Sequence, residues 1–192
     1  MKSKSKKQII SGLFFVTILI ILDQITKNLA VLFLKDQKDI PIIADVFELK
    51  YLENTSAAFG MDPVSLLHKL FNFEIFANNP QLYLNVRMGF FYFITICVTI
   101  FLIYLYTKIP AEKRYKYMDY ILLFFIAGAI GNLIDRMTLK YVVDFLYFKL
   151  INFPIFNVAD IYVTCAAFAM IAFGLFYYKD EDIDAVFPSK KK

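Results

Sequence analysis

The sequence is poor in the residues from which most metal and nucleophilic sites are built. Its 192 residues include two cysteines and one histidine. Cys97 and Cys165 lie inside apolar runs without metal-ligand spacing, and His68 cannot complete a zinc site with them. Metal chemistry is therefore disfavoured, no cofactor is expected, and both cysteines read as small buried hydrophobes. No Ser-His or Cys-His constellation offers itself for nucleophilic catalysis. Nor is there a continuous basic stripe: the lysines flank apolar runs, so the net charge of +4 carries no nucleic-acid signal. Glycine and proline are also scarce, at six each against 22 phenylalanines.

Apolar residues are plentiful. They make up 59% of the chain, against roughly 45–50% in a soluble domain, and they are gathered into long runs. The chain reads as one membrane domain over residues 1–192. Lys2, Lys4, Lys6 and Lys7 precede an apolar run from Ile9 to Leu22, as in a secretory leader. No small-x-small cleavage site follows, however, and apolar character resumes at LAVLFL (Leu29–Leu34). A retained first span is expected over about 9–29. The polar break in it holds Asp23, Gln24, Thr26 and Lys27. Lys27 fits a helix end where a lysine snorkels to the headgroups; Asp23 fits that picture less well.

Further spans are expected at 88–106, 118–135 and 157–178. The second is uninterrupted and uncharged, long enough for a ~30 Å hydrocarbon layer at ~1.5 Å per residue. Gly128, Ala129 and Gly131 in the third would let neighbouring helices pack closely. Between the spans, Phe47, Leu49 and Tyr51 alternate with Glu48 and Lys50, which predicts a half-exposed strand in a small sheet or hairpin. Val64–Phe76 reads as a short amphipathic piece with His68 as a surface residue, and YVVDFLYF as an apolar extended piece. Four spans place both termini on one side. The basic N-terminus, the Thr107–Tyr117 loop and the tail ending in Lys190, Lys191 and Lys192 assign that side to the cytoplasm. Residues 35–87 and 136–156 then lie outside.

Asp23, Asp135, Asp144 and Asp160 all map to that outer boundary, as does Asn54 if the strand region folds back over it. A charge at membrane depth costs roughly 2.5–3.5 kcal/mol on insertion scales, so such a cluster points to function. Two adjacent carboxylates share a proton, and the pair can act as base on water and acid on a leaving amine. Asn157 is a candidate N-cap, which puts Asp160 in the first turn of the fourth helix, where the dipole favours its anion. Asp144 sits in the apolar extended piece, where burial favours its protonated form. Asp135 ends the third helix beside Arg136 and reads as structural, paired with that arginine or with backbone donors. Asp144 with Asp160 is the favoured pair. Two other readings stay open: acids that only cap helices and hold the bundle, and a non-enzymatic proton or ion relay. A transporter would more often show paired repeats with broken helices, and the two N-x-x-D elements are too slight for that.

The motifs LDQITK (Leu22–Lys27), ENTSAAFG (Glu53–Gly60), GAIGNLIDR (Gly128–Arg136), VVDF (Val142–Phe145) and FNVAD (Phe156–Asp160) occur in this order. On them the chain resembles lipoprotein signal peptidase, the type II signal peptidase of bacteria. The resemblance implies four transmembrane helices with a small periplasmic β-sheet and a periplasmic amphipathic segment. It implies an aspartyl endopeptidase of the inner membrane that cleaves a prolipoprotein before its diacylglyceryl-modified cysteine. The family's catalytic aspartates correspond to Asp144 and Asp160. Its supporting or substrate-positioning residues correspond to Asp23, Asn54, Asn132, Asp135, Arg136 and Asn157. Membrane lipids, prolipoprotein substrates and the inhibitor globomycin are the implied partners, and a monomer is the expected working unit. Two departures stand out. Ser56 replaces a family glycine, so the local turn or the substrate contact there is expected to differ, and the stretch from Met61 to Arg87 is longer than the usual link into the second span.

Overall fold

The computed structural model of the chain describes residues 3–56, 64, 69 and 79–186. The amphipathic piece expected over 64–76 (Val64 and Lys69 apart), His68, the end of the ENTSAAFG motif and the Lys190–Lys192 tail lie outside the described residues. Among the described residues, four helices are long and apolar enough to cross a membrane: α1 (Lys6–Leu34), α2 (Pro80–Lys108), α3 (Lys116–Leu139) and α4 (Val158–Phe176). A three-stranded antiparallel sheet accompanies them, in the order β1 (Ile40–Ile43), β2 (Phe47–Asn54), β3 (Val142–Tyr147).

Three of these helices outrun the apolar runs that announced them, while α4 stays within its own. Hydropathy marks the part of a helix that suits hydrocarbon, whereas the helix itself continues until a capping signal stops it. Helix α2 thus begins at Pro80 and not at Met88. Proline suits the first helical position, and the Asn79 carboxamide accepts the Leu82 N–H at 3.0 Å as an N-cap. The charged tail holds a short helix, α5 (Asp180–Val186), with three acids in its first turn. Asp182 pairs with Arg114 at 2.7 Å, and that guanidinium holds the Asp182 carboxyl below its usual range.

The chain divides into two compact units. The first comprises Met1–Gln24, Val98–Gly131 and Val158–Lys192. Its core gathers Val16 and Leu19 of α1, Tyr106 of α2, and Leu122, Ile126 and Ala127 of α3, together with Tyr115 and Tyr178. The small residues of α3 serve close approach: a Cβ added at Gly128 would lie 2.6 Å from the Ala159 carbonyl oxygen and from Val163 Cγ2 of α4. At Gly131 it would lie 2.6 Å from Asp23 Oδ2.

The second unit comprises Ile25–Cys97 and Asn132–Asn157 and holds the sheet. Strands β1 and β2 form a hairpin closed at Asp45, whose φ of 56° is left-handed, with Val46 N–H donating to the Ile43 carbonyl at 3.0 Å. A second left-handed residue, Lys140 (φ 71°), ends α3 and turns the chain into β3. Beyond β3 the chain doubles back, and the N–H groups of Phe145 and Leu146 both donate to the Phe156 carbonyl, at 3.0 and 2.9 Å. That return brings Asn157 beside β3.

Burial corrects one expectation. Cys97 and Cys165 are exposed and not buried, as are Phe168, Ile171 and Leu175 of α4. In a helix that meets acyl chains, an apolar side chain gains nothing by pointing inward, so position within an apolar run does not imply burial inside the protein.

Candidate functional site

In the second unit polar residues of all five motifs join in one network around Asp144. Its place on β3 opposite Leu52 puts Asn54, two residues further along β2, on the same face at a diagonal. Asn54 Nδ2 donates to Asp144 Oδ2 at 2.7 Å, and Asn157 Nδ2 donates to Asp144 Oδ1 at 2.6 Å. Both carboxylate oxygens are thereby held, on a side chain only 1% exposed.

The network continues from Asn157, which is fully buried. Its amide also reaches Asn132 Oδ1 at 3.1 Å, and that oxygen accepts Lys27 Nζ at 2.8 Å. Lys27 lies 3.1 Å from Asp135 Oδ2, which in turn accepts the Val143 N–H at 3.0 Å, next to Asp144 in the strand. The chain of contacts runs from one catalytic candidate through Asn157, Asn132, Lys27 and Asp135 back to the backbone that carries it. Charge-assisted bonds of this sort, shielded from water, hold geometry tightly.

One reading changes here and one is narrowed. Lys27 does not snorkel to the surface: it is buried and paired with Asp135. Asp135 therefore finds its cation in Lys27 and its backbone donor in Val143, while Arg136 turns a terminal nitrogen to the Ser56 carbonyl at 3.3 Å and its guanidinium toward the Phe91 ring. Lys27 was missed because its partners are over a hundred residues away in sequence. The signal that could have found it is the apolar LAVLFL beyond it, which keeps a span going past a lysine supposed to end one.

Ser56 answers the question raised by the family glycine. Its N–H donates to Asn54 Oδ1 at 2.9 Å, an Asx turn that serine closes without a left-handed backbone. Among the described non-glycine residues, positive φ occurs at Asp36, Asp45, Lys140 and Asn152, and Ser56 is not one of them. On the outer side of β2, next to Asn54, Glu53 meets Lys35 at 2.8 Å; the hydrogen bond from that ammonium holds the Glu53 carboxyl below its ordinary range.

In the first unit, Asp23 is fully buried and its Oδ1 accepts the Ala159 N–H at 2.8 Å. This is a capping bond to the first turn of α4 supplied from α1. Asn157 occupies the residue before α4, and its amide nitrogen serves Asp144 and Asn132. Gln24 donates to Asp23 Oδ2 and to the Gly131 carbonyl, both at 3.2 Å. Asp160 lies in the first turn of α4, half-buried.

A four-helix membrane protein with a small sheet and buried, hydrogen-bonded acids has counterparts among solved structures. One, described as a bacterial membrane enzyme determined by the in meso method at 2.3 Å resolution, matches with a TM-score of 0.67 and 25% identity, covering 100% of this chain and 98% of that one. A second bacterial membrane enzyme, at 1.9 Å, matches with the same TM-score and 26% identity over 93% and 99% of the two chains. The fold is thus that of a bacterial membrane enzyme.

The family follows from sequence. The profile of signal peptidase (SPase) II matches residues 15–176. The lipoprotein signal peptidase of Caldanaerobacter subterraneus subsp. tengcongensis is 39% identical over 157 residues, 81% of this chain and 90% of that protein. That of Brevibacillus brevis is 39% identical over 147 residues, 77% and 83% of the two. The chain belongs to the signal peptidase II family and is a peptidase of that kind.

Proposed function

We propose that this protein is an aspartyl endopeptidase of the bacterial cytoplasmic membrane that removes the signal peptide from prolipoproteins, cutting before the diacylglyceryl-modified cysteine. Asp144 and Asp160 are the pair that activates water. The observation that carries the reading is the grip of Asn54 and Asn157 on both oxygens of a buried Asp144, in a chain of the signal peptidase II family. Asp160 follows Asn157 by three residues in the first turn of α4, so the chain that holds one acid leads directly into the other.

The chemistry needs one proton on the pair. The ionised carboxylate takes a proton from water while the water oxygen attacks the scissile carbonyl carbon, and the protonated acid gives its proton to the carbonyl oxygen. Collapse of the tetrahedral intermediate breaks the C–N bond, with a proton returned to the leaving amine. The proton belongs to the pair and is not assigned to either acid alone. Asp23, Asn132, Asp135, Arg136 and Asn157 support the pair or position substrate. The lipid-modified substrate enters laterally from the bilayer, and the enzyme works as a monomer.

The deciding experiment is cleavage of a diacylglyceryl prolipoprotein by the purified protein, with Asp144→Asn and Asp160→Asn variants alongside. Both variants are expected to fall to background. Full activity in either sinks the pair, and an inactive parent on a good substrate revives the proton or ion relay. Globomycin at a hundredfold its Kd is expected to stabilise the parent by about 2.7 kcal/mol, as any native-state ligand does.

A further inference from the structure

Arg87 takes no part in the hydrolysis outlined above, yet it is buried near the start of a membrane-crossing helix, α2. Strand β2 ends at Asn54, so the next carbonyls have left the sheet's hydrogen-bond ladder and need other donors. Arg87 donates from a terminal guanidinium nitrogen to the Thr55 carbonyl. Arg136 does the same for the Ser56 carbonyl at 3.3 Å. The peptide between these carbonyls carries the Ser56 N–H, which binds Asn54 Oδ1 at 2.9 Å. With its oxygen occupied on that side, the Asn54 carboxamide presents its nitrogen to Asp144 Oδ2 at 2.7 Å.

We propose that Arg87 is a positioning residue for the peptidase reaction: by fixing the Thr55–Ser56 backbone it sets the orientation of the Asn54 amide, and through it the Asp144 carboxylate. The inference rests on the reading of Asp144 as a catalytic acid. A guanidinium suits the task because it is always charged and presents several donors in a fixed plane, whereas an ammonium offers a single point of charge. Loss of this hold frees the Asn54 amide to turn over, which withdraws its donor from Asp144 without touching the substrate.

The test compares the parent with Arg87→Gln, Arg87→Lys, Asn54→Ala and the Arg87→Gln/Asn54→Ala double variant. The readouts are kcat and KM on a diacylglyceryl prolipoprotein, and Tm of the full chain in detergent. Arg87→Gln is expected to lower kcat about 10–100-fold, as for residues that orient a reacting group from behind, and to leave KM within about twofold. Arg87→Lys is expected to recover part of that loss. The double variant is expected to be no slower than Asn54→Ala alone, because Arg87 acts through Asn54. Additive losses in kcat, or a raised KM at unchanged kcat, would overturn the proposal. Should Arg87→Gln fail to fold, Arg87→Lys carries the same cycle. A parent that cleaves no prolipoprotein defeats the proposed function and this inference with it, whereas an active parent with additive losses in kcat defeats the inference alone.

Discussion

A lysine inside a membrane-crossing helix is tolerable only if its charge is answered where it sits. Lys27 is answered twice, by Asp135 at 3.1 Å and by Asn132 at 2.8 Å, and both partners come from the Asn132–Arg136 part of a single motif. Removing one member of a buried ion pair leaves the other without compensation, which typically costs about 3–5 kcal/mol. Lys27→Met is expected to destabilise the protein by that order, read as a fall in Tm in detergent. Lys27→Met/Asp135→Leu is expected to recover much of it by removing both charges, short of the bond that Asp135 gives Val143 N–H. A single variant as stable as the parent would show that the pair holds nothing in place. Sequence reading found the acids here and missed the cation, for a physical reason. An acid in an apolar run stands out wherever its partners are, whereas a lysine near a span's edge has a ready alternative in the headgroups.

At the scale of elements, the contacts of α3 with α4 depend on an absent side chain. Gly128 leaves room for the Ala159 carbonyl and Val163, both on α4, whose first turn carries Asp160. A methyl group there meets a backbone oxygen, which cannot swing aside as a flexible side chain would. Gly128→Ala is expected to destabilise by about 1–3 kcal/mol through overpacking and to lower peptidase activity with it. Gly174→Ala, where a Cβ meets nothing within 4 Å, is the control, expected to be neutral in both measurements. Equal effects of the two would refute the close-packing role. The element pattern itself was largely legible. Long apolar runs marked the four helices, period-two alternation marked β2, and the run YVVDFLYF marked β3. The pairing of β2 with β3 was not, since the partners Asn54 and Val142 stand nearly half the chain apart. Nor was the cap that Asp23 of α1 supplies to α4. Pattern within a segment reports which surface it will bury, and says little about the distant segment that buries it.

For the whole molecule, the exposed phenylalanine and leucine surfaces of α1, α2 and α4 fit a lipid setting, and that setting also explains why Cys97 and Cys165 lie outward. Which way the chain faces is a question of charge. Four crossings place the start of α1, the α2–α3 turn and the end of α4 on one side, and the short segments there are rich in lysine and arginine. On the positive-inside rule we propose that this side is the cytoplasm and that the β1–β2 hairpin and β3, with Asp144, face outward. Thiol labelling on intact cells tests this directly. Lys38→Cys, exposed ahead of the hairpin, and Glu112→Cys, exposed in the α2–α3 turn, would each be offered a membrane-impermeant maleimide. The native cysteines sit in the apolar spans, where little thiolate forms to react, so the parent gives a low background. Residue 38 is expected to label on intact cells and residue 112 only after lysis. The reverse pattern would overturn the proposed orientation.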